Sequence, residues 1–187
     1  ESHRAPGDAV VLTDLTRYAA LCATVPTLWR VTHRPRFADD PCTLGVASGD
    51  PTPTGGVLWT RLAPRPFEPD GGMEGARTTV TWEVADDEQF RTIVQKGRAV
   101  ASFELSYSVH VDVTGLAPDR WYFYRFQAGT ATSPVGRFRT APADGATTPL
   151  ALAFMSCQAY DAGYFTSLDH LAREAELDLA FHLGDYI

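Results

Sequence analysis

The stretch Gly115-Leu116-Ala117-Pro118-Asp119-Arg120-Trp121-Tyr122-Phe123-Tyr124-Arg125-Phe126 decides how the first two thirds of this 187-residue chain are read. A turn with Gly and Pro runs straight into a run of aromatic residues alternating along a strand period. Leu116, Pro118 and Tyr122 stand in the spacing of a tyrosine corner, in which a Tyr hydroxyl near the start of a strand bonds back to backbone a few residues upstream. Such a corner is a device of two-layered antiparallel β domains, so the neighbouring segments should be strands as well.

Working outward, the flanking segments fit. "GGVLWTRL", "RTTVTWEVADD", "RTIVQKGRAV", "SYSVHVDV", "RWYFYRFQA" and "VGRFRTAP" read as short strands parted by Gly, Pro and Asp clusters. Val80, Trp82 and Val84 alternate with Thr79, Thr81 and Glu83, and Val109, Val111 and Val113 alternate with His110 and Asp112, the period-2 pattern of a half-buried sheet. Strands of this kind spaced by about ten residues, with the corner between them, predict a β-sandwich of immunoglobulin or fibronectin type III topology.

After "APADGATT", a linker by composition, the periodicity changes. "LALAFMSCQ" is a continuous apolar run, "TSLDHLAREAEL" carries helical spacing through Leu168, Leu171, Ala172 and Ala175, and "DLAFHLGDY" is a second apolar run. Strand, helix and strand make a βαβ unit that crosses over right-handed into a parallel pair. Functional groups of such sheets collect beyond the carboxyl ends of the strands. Cys157 and Asp185 sit there, one per strand, where a thiolate and a carboxylate can meet one cation. The alternative is a buried small hydrophobe for Cys157 and a turn carboxylate for Asp185.

Composition excludes several function classes. With 16 Lys and Arg against 23 Asp and Glu the formal charge is -7, and there is no basic block, so nucleic acid is not expected as a partner. A small phosphorylated substrate remains compatible, because bound cations supply positive charge locally. No apolar run reaches the roughly 18 residues of a membrane span. Three widely spaced cysteines, Cys22, Cys42 and Cys157, are not a disulfide framework, and unpaired apolar cysteines are favoured over a Cys22–Cys42 bridge. A helix is expected from Asp14 to Ala23, capped by Thr13 or Asp14, followed by the irregular "WRVTHRPRFADDP".

"GVASGDP", "LWTRL", "SCQ" followed by "GYF", and "LGDYI", in this order, resemble the PhoD-type alkaline phosphatases and phosphodiesterases, a family that includes secreted bacterial phospholipase D enzymes. The resemblance covers about residues 42–187. It implies a β-sandwich (immunoglobulin/fibronectin III-like) N-terminal domain followed by the start of an α/β metallophosphoesterase domain. Where the wider class opens with an Asp-x-His pair, this chain has Ser156, Cys157 and Gln158. The resemblance further implies that Cys157 and Asp185 are metal ligands, binding ferric iron with calcium nearby, and that the substrate is a phosphate ester attacked by a metal-activated hydroxide or oxide. It implies secretion too.

The resulting division is an N-terminal segment 1–41, the sandwich 42–141, a linker 142–148, and 149–187 as the first βαβ of the catalytic domain. No later ligand motif occurs, so the chain is expected to be the N-terminal part of an enzyme and inactive by itself, its partner being the remaining catalytic polypeptide. A non-catalytic sandwich binding module is the alternative. The remaining residues receive structural expectations: His182 as a core histidine, favoured over a metal role, Tyr186 as packing, and Gly49, Asp50 and Pro51 as a turn. Gln158, Tyr160, Gly163, Tyr164 and Phe165 shape a loop, with Gly163 permitting a tight turn. Trp59 and Arg61 are placed at the contact between the two domains, with a core position as the equal alternative for Trp59.

Overall fold

The computed structural model describes residues 35–75, 77–159, 161 and 163–185. The expected helix at 14–23, Cys22, Tyr160 and Tyr186 lie outside the described residues. Eight strands form the first unit: β1 Val46–Thr52, β2 Gly55–Arg61, β3 Thr78–Ala85, β4 Ile93–Ala101, β5 Ser108–Val113, β6 Trp121–Ala128, β7 Ala131–Thr132 and β8 Gly136–Arg139. β1, β2 and β5 make one antiparallel sheet. β4, β3, β6 and β7 make the other, with β8 also paired to β6. This is the expected sandwich, and its core lies between the two sheets. Leu58, Val109, Val111 and Val113 face Val80, Val84, Tyr122, Tyr124, Phe126 and Phe138, while His110 and Asp112 point outward as the alternation requires.

The corner forms as read. The Ala117 N–H donates to the Tyr122 hydroxyl at 3.0 Å, and the Tyr122 ring, 3% exposed, packs against Phe138 with centroids 5.8 Å apart. Two close approaches fix the sheet surfaces. A Cβ on Gly97 would lie 2.5 Å from the Trp82 ring, and one on Gly136 would lie 2.3 Å from the Tyr124 ring, so each aromatic side chain lies flat over a glycine of the neighbouring strand.

Two expectations need correction here, and the unpaired state of Cys42 is as expected. Gly49, Asp50 and Pro51 are not a free turn but part of β1, where the register with β2 shifts between Gly49 and Thr52 and Asp50 takes φ 46°. One extra residue in the ladder is a bulge, and Asp tolerates the left-handed conformation that it demands. Arg61 serves the sandwich itself, its Nε donating to the Ser106 carbonyl at 2.9 Å, and Trp59 is half-buried between Ala47 and His110 of the adjoining strands. Cys42 is a free, buried thiol.

Beyond the linker, β9 Leu152–Met155 and β10 Leu179–His182 pair in parallel, joined through the helix α1 Thr166–Ala172. The helix ends before Ala175, shorter than its apolar spacing suggests. The strands keep bare faces, with Leu152, Phe154, Phe181 and Leu183 all 48% exposed or more. Two strands and one short helix cannot cover both sides of a parallel pair.

Candidate functional site

β9 and β10 run in the same direction and in register, Phe181 beside Phe154 and His182 beside Met155, so both strands end at one level. The Leu183 N–H donates to the Met155 carbonyl at 2.8 Å, and the Cys157 N–H donates to the Gly184 carbonyl at 3.3 Å, which carries the pairing past the last formal strand residues. The Gln158 N–H then reaches the Asp185 carbonyl. Cys157 and Asp185 both adopt the left-handed conformation, with φ 57° and 55°. This turns the two side chains toward one another: Cys157 Sγ donates to Asp185 Oδ2 at 3.9 Å. Both residues are exposed. Among the described residues Cys157 faces solvent beside a carboxylate rather than packing as a small hydrophobe.

The surroundings hold this arrangement. Gly184 takes φ 110°, a conformation that side chains rarely adopt, and its N–H donates to His182 Nδ1 at 3.1 Å. His182 is exposed among the described residues, and its Nδ1 accepts the Gly184 N–H in the turn before Asp185. Gln158 Nε2 donates to Ser167 Oγ at 3.2 Å, tying the loop after β9 to the start of α1. Gly163 does not supply the tight turn, because the left-handed residue at the helix entry is Phe165, φ 52°. Tyr164 is 97% exposed. Among the described residues no group of three or more His, Cys, Asp or Glu side chains converges, so Cys157 and Asp185 stand as a pair. A soft sulfur and a hard carboxylate oxygen, open to solvent and already in contact, are a donor set that suits a transition-metal ion.

Sequence reasoning missed a second polar group at the opposite end of the strands. Arg139, the last residue of β8, donates from Nη1 to Asp178 Oδ1 at 2.6 Å and from Nη2 to Asp119 Oδ1. The Ala151 N–H, followed by the Arg139 guanidinium, holds the Asp178 carboxyl below the usual carboxylate range against the opposing effect of burial. "GRFRT" reads only as an alternating strand, and nothing local in it distinguishes Arg139 from a solvated outward-facing residue.

The described residues thus form a fibronectin-like sandwich leading into a parallel strand pair with a thiol and a carboxylate at its carboxyl ends. The comparisons with known proteins agree. Residues 23–142 match the family model for the PhoD-like phosphatase N-terminal domain, and residues 152–187 match that for PhoD-like phosphatase. The chain belongs to the PhoD-like phosphatase family. It is 52% identical over 160 residues to the alkaline phosphatase D of Bacillus subtilis (strain 168), covering 85% of this chain and 27% of that protein. The solved structure of PhoD matches it with a TM-score of 0.78 and 54% identity, over 82% of this chain and 29% of the other. The chain thus spans little more than a quarter of these relatives. Among the described residues no helix is long and apolar enough to cross a membrane.

Proposed function

We propose that these residues belong to a metal-dependent phosphoric ester hydrolase in which Cys157 and Asp185 are ligands of one metal ion, ferric iron, with calcium nearby. The observation that carries the reading is the 3.9 Å approach of Cys157 Sγ to Asp185 Oδ2 from the ends of two adjacent parallel strands. When bound, such a metal ion would supply positive charge for phosphoryl oxygens and a nucleophilic oxygen of lowered pKa. The chain's own residues present the thiol and carboxylate on one open edge. The left-handed Cys157 and Asp185 backbones and the Gly184 turn hold the two donors together, and loss of the Cys157 proton leaves a soft anionic donor beside a hard one. No side chain described here acts as a nucleophile toward phosphorus. The class of substrate is a phosphate ester, monoester, diester or phospholipid, and the reading includes export from the cytoplasm, which the sequence resemblance implies.

The test compares metal content by elemental analysis and hydrolysis of a chromogenic phosphate monoester and diester. It uses the 187-residue chain alone and joined to the remaining C-terminal part of the Bacillus relative. In the joined protein, Cys157→Ala and Asp185→Asn are expected to lower iron retention against a chelator by at least about tenfold, while sandwich stability is unchanged. Iron retained by both variants would end the ligand assignment.

A further inference from the structure

We propose that Arg139 is a positioning residue, a polar latch that fixes the α/β unit on the sandwich and through it the placement of Cys157 and Asp185. The last clause rests on the functional reading above; the latch itself does not. Asp178 immediately precedes β10, and its two oxygens divide their work: Oδ1 accepts from Arg139 Nη1 at 2.6 Å, and Oδ2 accepts the Ala151 N–H at 2.9 Å. The Asp178 N–H donates back to the Ala151 carbonyl at 3.0 Å. Ala151 immediately precedes β9. One carboxylate therefore clamps the starts of both strands, and one guanidinium ties that carboxylate to β8. On the other side Arg139 holds Asp119, just after the tyrosine-corner turn, whose Oδ2 accepts the Thr148 hydroxyl at 3.3 Å and so gathers in the end of the linker.

Burial distinguishes this group from the surface ion pairs. The Asp178 side chain is 9% exposed and that of Arg139 21%, against 70% and 62% in the Arg77–Glu104 pair. A pair shielded from water is costly to break one-sidedly, whereas exposed pairs contribute little. Apolar packing does not replace it. Cavities of about 250 and 770 Å³ flank Arg137 and Arg139 between the sandwich and the α/β unit. The other polar tie there is the Arg137 Nη2 bond to the Glu174 carbonyl at 3.1 Å, from a guanidinium stacked on Trp121. Lysine cannot replace Arg139, because a single ammonium lacks the planar fork that spans two carboxylates.

Amide hydrogen exchange of the 187-residue chain tests the latch without any metal. In Arg139→Gln and in Asp178→Asn, the Ala151 and Leu179 amides should exchange about tenfold faster, and so should the Leu183 and Cys157 amides at the far ends of the strands, while Val111 and Phe126 in the sandwich stay unchanged. Cleavage by thermolysin before the exposed Leu150 should accelerate in parallel. Arg139→Lys should recover only part of the protection, and the double variant should be no worse than either single one. Acceleration confined to Ala151 and Leu179, additive effects in the double variant, or cleavage within twofold of wild type would each overturn the proposal. Iron retained by Cys157→Ala and Asp185→Asn in the joined protein would sink the functional reading and leave these rates as they are.

Discussion

Two buried tyrosines offer a paired perturbation whose outcomes should have opposite signs. Tyr122 is 3% exposed and its hydroxyl accepts the Ala117 N–H at 3.0 Å. Tyr107 is 0% exposed, and its hydroxyl has no hydrogen-bond partner among the described residues. Tyr122→Phe keeps the ring on Phe138 and deletes only the acceptor. The freed amide belongs to a residue at the surface, where water can reach it in part, so the cost should fall at about 1–2 kcal/mol rather than at the full penalty of a sealed donor. For a domain of about 100 residues this lowers Tm by roughly 5–10 °C. Tyr107→Phe removes a hydroxyl that was desolvated without return. It leaves the Leu62 N–H bond to the Tyr107 carbonyl in place, so stability should be unchanged or higher by up to about 1 kcal/mol. Urea unfolding followed by near-ultraviolet circular dichroism measures both. A loss below about 0.5 kcal/mol in Tyr122→Phe, or a loss above about 1 kcal/mol in Tyr107→Phe, would refute the hydrogen-bond accounting.

Gly97→Ala should destabilise by about 1–3 kcal/mol and shift Trp82 emission, because the new methyl meets the indole at 2.5 Å; Gly49→Ala, with nothing within 4 Å of its Cβ, should cost less than about 1 kcal/mol. Burial, reinforced by the Asp40 carboxylate, pushes the Cys42 thiol up from 9.0 to about 11. The unfolded chain therefore loses this proton first, and stability from Cys42 is intact below pH 9 and falls as pH rises to about 11. The loss from Cys42 should reach at most about 2 kcal/mol and be read as the difference between wild type and Cys42→Ala in denaturation midpoints between pH 8 and 11, because burial also pushes Tyr124 up to about 12 and its loss above pH 10 is common to both. In the native chain at pH 8, alkylation followed by peptide mass analysis should label Cys157 and spare Cys42, one being exposed and the other buried. Equal labelling of the two would show that Cys42 is reachable in the folded state.

What the sequence made legible follows the range of the forces involved. The alternation of Val109, Val111 and Val113 and the Leu116–Pro118–Tyr122 spacing are local patterns with a single packing solution, and the sandwich follows from them. The βαβ unit was legible by its change of period, and the level of Cys157 with Asp185 followed from parallel strands of equal length. The left-handed backbone at those two positions was not. Neither residue type announces positive φ as glycine does, and the conformation is imposed by the pairing of Cys157 with Gly184 and of Gln158 with Asp185 across the two ends. His182 lies on a strand that reads as buried in sequence, and in the two-stranded part described here it is exposed. Arg139 and Asp178 are 39 residues apart and belong to different units, so no local pattern could join them.

The strained strand ends and the latch bear on one another. Cys157, Phe165 and Asp185 all occupy the left-handed region, at a cost of about 1 kcal/mol each for non-glycine residues and somewhat less for Asp. Strain of this kind persists only where the surroundings over-determine it. Within the residues described here α1 buries no residue and β9 and β10 hold no fully buried side chain, so the sandwich contact is the restraint that this part of the chain supplies. In this chain the restraint reaches the strand ends along the strands, from the network of Arg139, Asp178 and Ala151 at their starts, about 13 Å away over the four steps from Asp178 to His182. A rigid sandwich is well suited to that role, since its aromatic core keeps β8 in place. Within these residues the sandwich thus acts as an anchor for the pair of donors that meet at 3.9 Å.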